Sequence, residues 1–432
     1  MANTGDPSNI SKPVWKDALF WFVIAAGLGY GGVRNFVPAT FPLFHRDMDA
    51  TLAQMGQTQF LFYLTGLVFA TVGGPILVWL GLKRAAVAAF SLLALSLVLP
   101  GIARHFSLVL ISSLITGFAV CALVVITSSA ISSHFRAIRQ SVFLVTGLSD
   151  AGGSMFGPAM LGWWFAHAGR WNLTWRSGYF IGAGVIGLLV LWALVVPSAN
   201  MRGDKREKNT RWTGLKNMGA VLRNSAFFTA VILCFFHGSA QAGMISFVGQ
   251  LFIKKLHIDA AHAAYLLSAE AIGILGGRAL FSGITAIWKI PELMVIAACG
   301  AIETTAFVAT ALAPSYASGF VLFVTAGIFM SAIGPSLSSF LGGRLTDQVA
   351  TAFALFAGLG NIGAALGPFI IGILGTGYGI EKAIFLSPLS GALLCSVALT
   401  QYLRERSGVA HLAKLYPIVT EPMRPVSGRT GT

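Results

Sequence analysis

The chain has 432 residues, of which 56% are hydrophobic and only 10% are charged. A soluble protein of this size carries about 25% charged residues, so the composition indicates a membrane protein. The net charge of +14 does not indicate nucleic-acid binding, because the basic residues lie in short segments between long apolar runs. The four cysteines lie inside those runs without paired spacing, so we expect neither disulfides nor a metal site.

Twelve apolar segments follow one another along the chain. Each is long enough to cross a membrane as a helix, and none shows the strict alternation of a membrane strand. We therefore predict an all-α membrane protein with 12 transmembrane helices. The segments lie near 17–43, 54–81, 85–103, 107–133, 141–166, 177–197, 226–251, 261–287, 291–313, 316–342, 350–376 and 383–403.

A polar stretch in the middle of the chain divides these spans into two groups of six. With the N-terminus in the cytoplasm, 20 Lys and Arg residues lie in cytoplasmic segments and seven lie on the opposite side. This asymmetry predicts that both termini are cytoplasmic. We also expect the protein to lie in a bacterial inner membrane and to have no cleaved signal peptide. The predicted parts are a cytoplasmic tail (1–16), a six-helix half (17–197), a cytoplasmic linker (198–225), a second six-helix half (226–403) and a cytoplasmic tail (404–432).

The pattern Gly-x-x-x-Gly-Pro-x-x-x-Gly occurs twice, at 153–162 and at 363–372. When the chain is shifted by 210 residues, matching residues also appear in other pairs of spans, so we predict two pseudo-symmetric halves. Parallel repeats of this kind are typical of one large transporter architecture. Small residues four apart let helices pack closely, and a Gly-Pro pair permits a bend. The further matches are Gly66 with Gly276, Gly73 with Gly283, and Ser128 and Ser129 with Ser338 and Ser339.

Two stretches of the first half resemble motifs of the major facilitator superfamily. Residues 74–84, GPILVWLGLKR, are similar to the loop signature of that family, with Val78 where the family usually has Asp. Residues 153–162 are similar to its fifth-helix motif, which is often noted in antiporters. The resemblance covers about residues 17–403. It implies a secondary transporter without a cofactor, whose two halves rock about a central cavity lined by spans 1, 4, 7 and 10.

The second half is similar to two groups within that family. GSAQAG (238–243), GRALFSG (277–283) and GPSLSSF (334–340) are similar to segments of fucose-type sugar:proton symporters. Those symporters carry carboxylates in helices 1 and 4, whereas span 4 of this chain has no Asp or Glu. The pair Gly277-Arg278 is also similar to the eighth helix of oxalate- and monocarboxylate-type members, where the arginine meets the carboxylate of the substrate.

Ionisable residues inside spans are costly, so they usually face a cavity or a partner. An arginine there can hold a carboxylate through two hydrogen bonds. Asp150 and Arg278 both lie about 14 Å from the cytoplasmic ends of their spans, and we expect them to pair or to share a substrate. Glu270 is the best candidate for a proton carrier, whereas nothing in the sequence assigns a role to Glu303. The predicted substrate-binding residues are Tyr30, Arg34, Asn35, Ser128, His237, Gln241, Arg278, Ser338 and Asn361, and the predicted proton-coupling residues are Asp150 and Glu270.

These residues predict a transporter that moves a small organic anion with protons. A neutral sugar:proton symporter and a proton-driven drug or metabolite exporter are the alternatives within transport. From other classes, a membrane enzyme or a receptor-like sensor would need a catalytic motif or a soluble signalling domain. No P-loop, G-x-S-x-G or H-E-x-x-H motif occurs. The expected partners are a small-molecule solute, protons and membrane lipid, with no nucleic acid, and we expect a monomer.

Overall fold

The computed structural model describes residues 14–135, 138–195, 219–288, 290–345 and 349–415. Every regular element in these residues is a helix, as predicted. A 3-10 helix at Val14–Lys16 precedes the first α-helix. The α-helices are α1 (Ala18–Arg34), α2 (Phe36–Met48), α3 (Leu52–Leu80), α4 (Leu82–Ile102), α5 (Phe106–His134), α6 (Arg139–His167), α7 (Trp175–Val195), α8 (Ser225–Leu256), α9 (Ala260–Ile287), α10 (Glu292–Leu312), α11 (Tyr316–Arg344), α12 (Val349–Tyr378), α13 (Ile380–Ala383) and α14 (Leu386–Leu415).

The first predicted span is broken at Asn35, where the backbone has φ −98° and ψ 5°. The cause lies three residues further along the chain. Pro38 has no N–H to donate to the carbonyl of Arg34, so the helical ladder cannot continue through this point. Proline is tolerated in the first turn of a new helix, and α2 accordingly begins at Phe36. The break places Arg34 at the end of α1 and leaves Asn35 between the two helices.

Nine of the helices are long and apolar enough to cross a membrane, by length and composition of the described residues. The predicted spans 1, 2 and 5 are not among the nine. Span 1 is divided into helices of 17 and 13 residues. The first turns of α3 carry three glutamines, and α6 is rich in Gly and Ser and contains Asp150. Each piece of span 1 is thus too short, span 5 is too polar by this measure, and several side chains of α3 between residues 70 and 78 lie outside the described part of the structure.

The bounds of the helices repeat along the chain. Helices α4 and α10 begin and end 210 residues apart, and so do α5 and α11. Within each half, the fifth span packs along the first, so α6 lies on α1 and α12 lies on α8. Between the halves, α3 packs along α12 and α6 packs along α9. The predicted duplication is thus present as two similar helix groups that face each other.

The two halves meet in an apolar plug at the end of the bundle opposite the termini. The ring of Phe41 in α2 lies 6.0 Å from that of Phe247 in α8, and both side chains are fully buried. One turn along, Gln250 donates to the sulfur of Met55 at 3.9 Å. At the same end, the backbone N–H of Ala53 donates to the Thr376 hydroxyl at 3.0 Å. These contacts seal one end of the seam between the halves.

The turn between α3 and α4 consists of Gly81, which has φ +75°. This conformation favours glycine, so the glycine of the loop signature is required by the backbone. The side chain of Val78 in the same signature lies outside the described part of the structure.

The predicted tails and linker are described only in part. Residues 1–13, 196–218 and 416–432 lie outside the described ranges, and they include most of the N-terminal tail and of the linker. Helix α14 continues to Leu415, so the segment predicted as a tail from residue 404 begins as helix. The other domain boundaries stay predictions.

Candidate functional site

Glycines bring α1 and α6 into backbone contact at the centre of the first half. A Cβ atom on Gly31 would collide with the backbone of Asp150, and one on Gly157 would collide with the backbone of Gly32. The hydroxyl of Ser154 donates to the carbonyl of Gly31 at 3.2 Å. Small residues permit such an approach between membrane helices. Arg34 lies one turn beyond Gly31, so its side chain comes within reach of α6.

The ion pair of Asp150 is formed with Arg34. Arg34 Nη2 lies 3.0 Å from Asp150 Oδ1, and the side chains are 34% and 19% exposed. The expected partner, Arg278, instead donates from Nη1 to the carbonyl of Gly147, one turn before Asp150 on α6. The proposed pairing of Asp150 with Arg278 is therefore replaced by a contact within the first half. Arg278 does reach α6 from the other half, but it meets the backbone at Gly147, whereas the close packing of α1 on α6 brings Arg34 to Asp150.

Glu270 provides an acidic group on the opposite side of the seam. Its side chain is 2% exposed, and it accepts a hydrogen bond from Gln241 Nε2 at 3.2 Å. Glu270 also lies within electrostatic range of Arg34. The predicted proton carrier on α9 and the predicted substrate-binding arginine on α1 thus come from opposite halves and influence each other electrostatically.

Two tyrosines complete what we call the central cluster. Tyr30 is buried in α1 and lies within electrostatic range of Arg34, Asp150 and Arg278. Tyr63 of α3 interacts electrostatically with Arg34 and Glu270. Phenolic hydroxyls can both donate and accept hydrogen bonds. The central cluster is defined as Tyr30, Arg34, Tyr63, Asp150, Glu270 and Arg278.

Cys121 of α5 also lies within electrostatic range of Arg34. No feature of the sequence singles out this residue, because an isolated cysteine in an apolar span is usually a packing residue. Among the described residues, no group of three or more His, Cys, Asp or Glu side chains could hold a metal ion.

The other predicted site residues lie around the central cluster. Asn35 is buried at the break between α1 and α2. Ser128, Ser338 and Asn361 are half-buried on α5, α11 and α12, and their role in binding stays a prediction. His237 contacts an acidic residue and not an arginine, since its Nδ1 lies 3.9 Å from Glu303 Oε2. Glu303, to which the sequence assigns no role, is thus the partner of a predicted site residue.

The charges of the central cluster do not cancel in every protonation state. Arg34 and Asp150 neutralise each other, and Arg278 contributes a second positive charge. No described carboxylate forms an ion pair with Arg278. The cluster therefore carries one net positive charge when Glu270 is protonated and none when Glu270 is ionised. An arrangement of this kind can bind an anion and a proton together.

The fold is shared with solved membrane transporters. A bacterial homolog of the human lysosomal transporter Spinster, in an inward-facing and occupied conformation, has a TM-score of 0.71 and 14% identity over 90% of this chain and 97% of its own. The nucleoside transporter NupG has a TM-score of 0.69 and 16% identity over 89% of this chain and 98% of its own. For a variant of the E. coli fucose:proton symporter FucP, the values are 0.59 and 17% over 88% and 98%.

No match is found among curated protein sequences. The family model of the Major Facilitator Superfamily matches residues 19–368, which is most of the chain. This match confirms the resemblance seen in the loop signature and in the fifth span, and the solved structures agree with it at the level of the fold. The chain belongs to the major facilitator superfamily, and it is a membrane transporter rather than an enzyme.

Proposed function

We propose that this protein is a secondary active transporter that moves a small organic anion, a carboxylate, together with protons. The observation that carries the proposal is the uncompensated arginine of the central cluster. Arg278 donates to a neutral carbonyl, while Arg34 already has Asp150 as its counter-ion. A guanidinium group binds a carboxylate through two parallel hydrogen bonds. An anionic substrate would supply the negative charge that Arg278 lacks.

Glu270 links this binding to a proton. When Glu270 is ionised, its charge offsets that of the second arginine and the attraction for an anion falls. When Glu270 takes up a proton, the net positive charge returns and an anion binds more strongly. Binding of each partner therefore favours binding of the other. This reciprocal effect is what symport of a proton and an anion requires.

Alternating access follows from where the halves touch. The plug of Phe41, Met55 and Phe247 closes the seam at the end opposite the termini. The central cluster includes residues of both halves, so rocking of one half against the other would expose it to one side and then to the other. With cytoplasmic termini in a bacterial inner membrane, the plug would face the periplasm. We propose that the monomer with its two six-helix halves is sufficient for this cycle.

A neutral polar solute is the second candidate. The observation that favours it is the mutual neutralisation of Arg34 and Asp150 at 3.0 Å, with Tyr30 and Tyr63 beside them. Aromatic rings and paired charges suit the apolar faces and hydroxyl groups of a sugar or a nucleoside. The nucleoside transporter and the fucose:proton symporter share the fold, but at their low identity this likeness shows the fold alone.

Thermal-shift measurements on the detergent-purified chain test the substrate class. Monocarboxylates, dicarboxylates, sugars, nucleosides and cationic drugs would each be added to the wild type and to Arg278→Gln. A ligand that binds only the folded state, at 100 times its Kd, stabilises by about 2.7 kcal/mol. We expect a carboxylate to raise the melting temperature of the wild type and to leave that of Arg278→Gln unchanged. In Glu270→Gln, the carboxylate shift should persist and lose its dependence on pH.

The matched control is Arg176→Gln. Arg176 also donates to a backbone carbonyl, that of Ala103 at 3.2 Å, but it lies at the start of α7 away from the central cluster. This variant should respond to carboxylates like the wild type. If Arg278→Gln retains the full carboxylate shift, the role of Arg278 in the proposal is refuted. A shift with sugars or nucleosides in all the variants would select the second candidate.

A further inference from the structure

Glu303 is a buried acid without a hydrogen-bond partner. It lies in α10 with an exposed fraction of 0%, and neither of its carboxyl oxygens has a partner among the described residues. His237 Nδ1 on α8 is also buried and without a hydrogen bond, and it lies 3.9 Å from Glu303 Oε2. Two unsatisfied polar groups that face each other in a membrane interior form an incomplete interaction.

The surroundings of this pair contain no described cation. The titratable groups within electrostatic range of Glu303 are Glu270 of α9, Cys299 of α10 itself and Cys395 of α14. The thiol of Cys395 donates to the carbonyl of Ala297 at 3.4 Å, so it is already engaged. The imidazole of His237 is therefore the group available to balance or to share the charge of Glu303.

A line of polar side chains connects this pair with the central cluster. Gln241 follows His237 by four residues on α8, so the two side chains lie on the same face of the helix. Gln241 Nε2 donates to Glu270 Oε1 at 3.2 Å. Glu270 and Glu303 are in turn within electrostatic range of each other. A change of charge at either acid is consequently felt by the other.

We propose that His237 and Glu303 form a second proton-binding site, which holds one proton between His237 Nδ1 and a carboxyl oxygen of Glu303. With that proton present, the carboxylic acid of Glu303 donates to Nδ1 of the neutral imidazole, because burial disfavours the alternative with two opposite charges. Without it, Glu303 is a buried carboxylate beside a neutral imidazole, which can offer a single N–H from Nδ1 in one tautomer and none in the other. The proton therefore removes the buried negative charge and completes the link between α8 and α10.

This site extends the proposed function, because it would bind a second proton, in addition to that of Glu270, during the transport cycle. When Glu270 releases its proton and becomes charged, the negative charge favours retention of the proton on the His237–Glu303 pair. When Glu270 is neutral, that influence is removed. The coupling rests on the proton-coupled transport proposed above, whereas proton binding by the pair does not.

Infrared difference spectroscopy between two pH values tests the site without any substrate. The purified chain in lipid would be measured in H2O and D2O, where a protonated carboxyl group shows a C=O stretching band that shifts on deuteration. In Glu303→Gln we expect the loss of one such band that persists in Glu270→Gln. In His237→Asn the same band should move, because its hydrogen-bond partner has changed. Glu292→Gln, on the same helix but hydrogen-bonded to Ser339, is the control and should leave the band in place.

A difference spectrum of Glu303→Gln identical to that of the wild type would overturn the site. Thermal melting establishes that the variant is folded. If Glu303→Gln does not fold, His237→Asn decides, and an unchanged band position in that variant would overturn the proposal as well. Failure of the carboxylate thermal shift would refute the proposed substrate class and leave the infrared result intact, so the two failures are distinguishable.

Discussion

In the first half, a Cβ atom on Gly153 of α6 would collide with the backbone of Leu28 in α1. In the second half, a Cβ atom on Gly363 of α12 would collide with the backbone of Phe235 in α8. The third glycine of each motif behaves differently. A Cβ on Gly162 would meet α9, and one on Gly372 would meet α3, so both face the opposite half. Each motif therefore fixes one helix pair within a half and one contact between the halves.

The ionisable residues of the site do not follow this repeat. The positions that correspond to Arg34 and Asp150 hold Met244 and Gly360 in the second half. Conversely, the positions that correspond to His237 and Glu303 hold Gly27 and Leu93 in the first half. Glycines at backbone contacts are constrained by collision, whereas a polar position can differ between halves as long as its partner differs too. The comparison teaches that the motif supplies the framework, and that the asymmetric charges supply the transport chemistry.

The largest loss of stability is expected when the charged residues Arg34 and Asp150 are replaced by neutral ones. The corresponding positions of the second half are neutral. Arg34→Met and Asp150→Asn each leave one charge without its partner inside the bundle. Breaking a buried ion pair costs 3–5 kcal/mol, and we expect about 3 kcal/mol here, since Arg34 is 34% exposed. The double variant removes both charges, so it should regain at least half of this loss. Thermal melting of the four proteins forms a double-mutant cycle that measures the coupling.

The matched control for this cycle is the surface pair Lys254–Glu381, whose side chains are 53% and 48% exposed. Exposed pairs contribute about 0.2–1 kcal/mol, so Lys254→Met and Glu381→Gln should change the melting temperature little. Additive losses in the Arg34 and Asp150 double variant would contradict the prediction, because they would mean that the two charges do not stabilise each other.

A smaller loss of stability is expected when one methyl group is added to a glycine of the repeated motif. Gly153→Ala and Gly363→Ala place a Cβ against backbone atoms that cannot move aside. Overpacking of a tight contact costs about 1–3 kcal/mol, and the two losses should be similar because the contacts are equivalent. Gly184→Ala is the control, since nothing lies within 4 Å of the added atom. Its melting temperature should be equal or higher, because alanine favours the helix. A large difference between the two losses would contradict the prediction that the two contacts are energetically equivalent.

The helices and their repeat could be predicted from the sequence, because both depend on local pattern. Apolar length fixes where a span lies, and a Gly-rich motif repeats with the helix that carries it. The break at Asn35 could also have been predicted, since Pro38 removes the helical hydrogen bond to Arg34. A continuous first span was wrong at this point because hydropathy does not register a missing N–H group.

The partners within the site could not be predicted in the same way. Distance from a span end gives the depth of Asp150 and Arg278 in the membrane, but not the direction in which each side chain points. That direction follows from how the glycines dock α1 on α6, which places Arg34 beside Asp150. His237 and Glu303 lie on helices that are separated along the chain, so no spacing connects them. Their contact depends on the packing of α8 and α10.

The smallest loss of stability is expected on substitution of Asp47. This residue lies at the end of α2, outside the spans, and connects α2 to α7 through a hydrogen bond. Trp175 Nε1 donates to Asp47 Oδ2 at 2.6 Å, and Arg46 Nε donates to Oδ1 at 2.6 Å. The hydrogen bond from Arg46 is the main reason that the pKa of Asp47 lies below its usual range. The position that corresponds to Asp47 in the second half holds His257, so this link is another feature of one half.

A carboxyl group whose pKa is lowered by folding stabilises the folded state above its unfolded pKa, which is about 3.9 for Asp. This stabilisation is lost as the pH falls through the lower, folded value. Asp47→Asn should therefore reduce stability at pH 7 by about 0.5 kcal/mol, a small amount because solvent screens an exposed pair. The difference between the melting temperatures of wild type and variant should begin to shrink below about pH 4 and vanish below the lowered pKa of Asp47 in the folded state. Asp49→Asn, at a left-handed position that Asn tolerates, should match the wild type throughout. A constant difference at every pH would mean that Asp47 acts through packing and not through its charge.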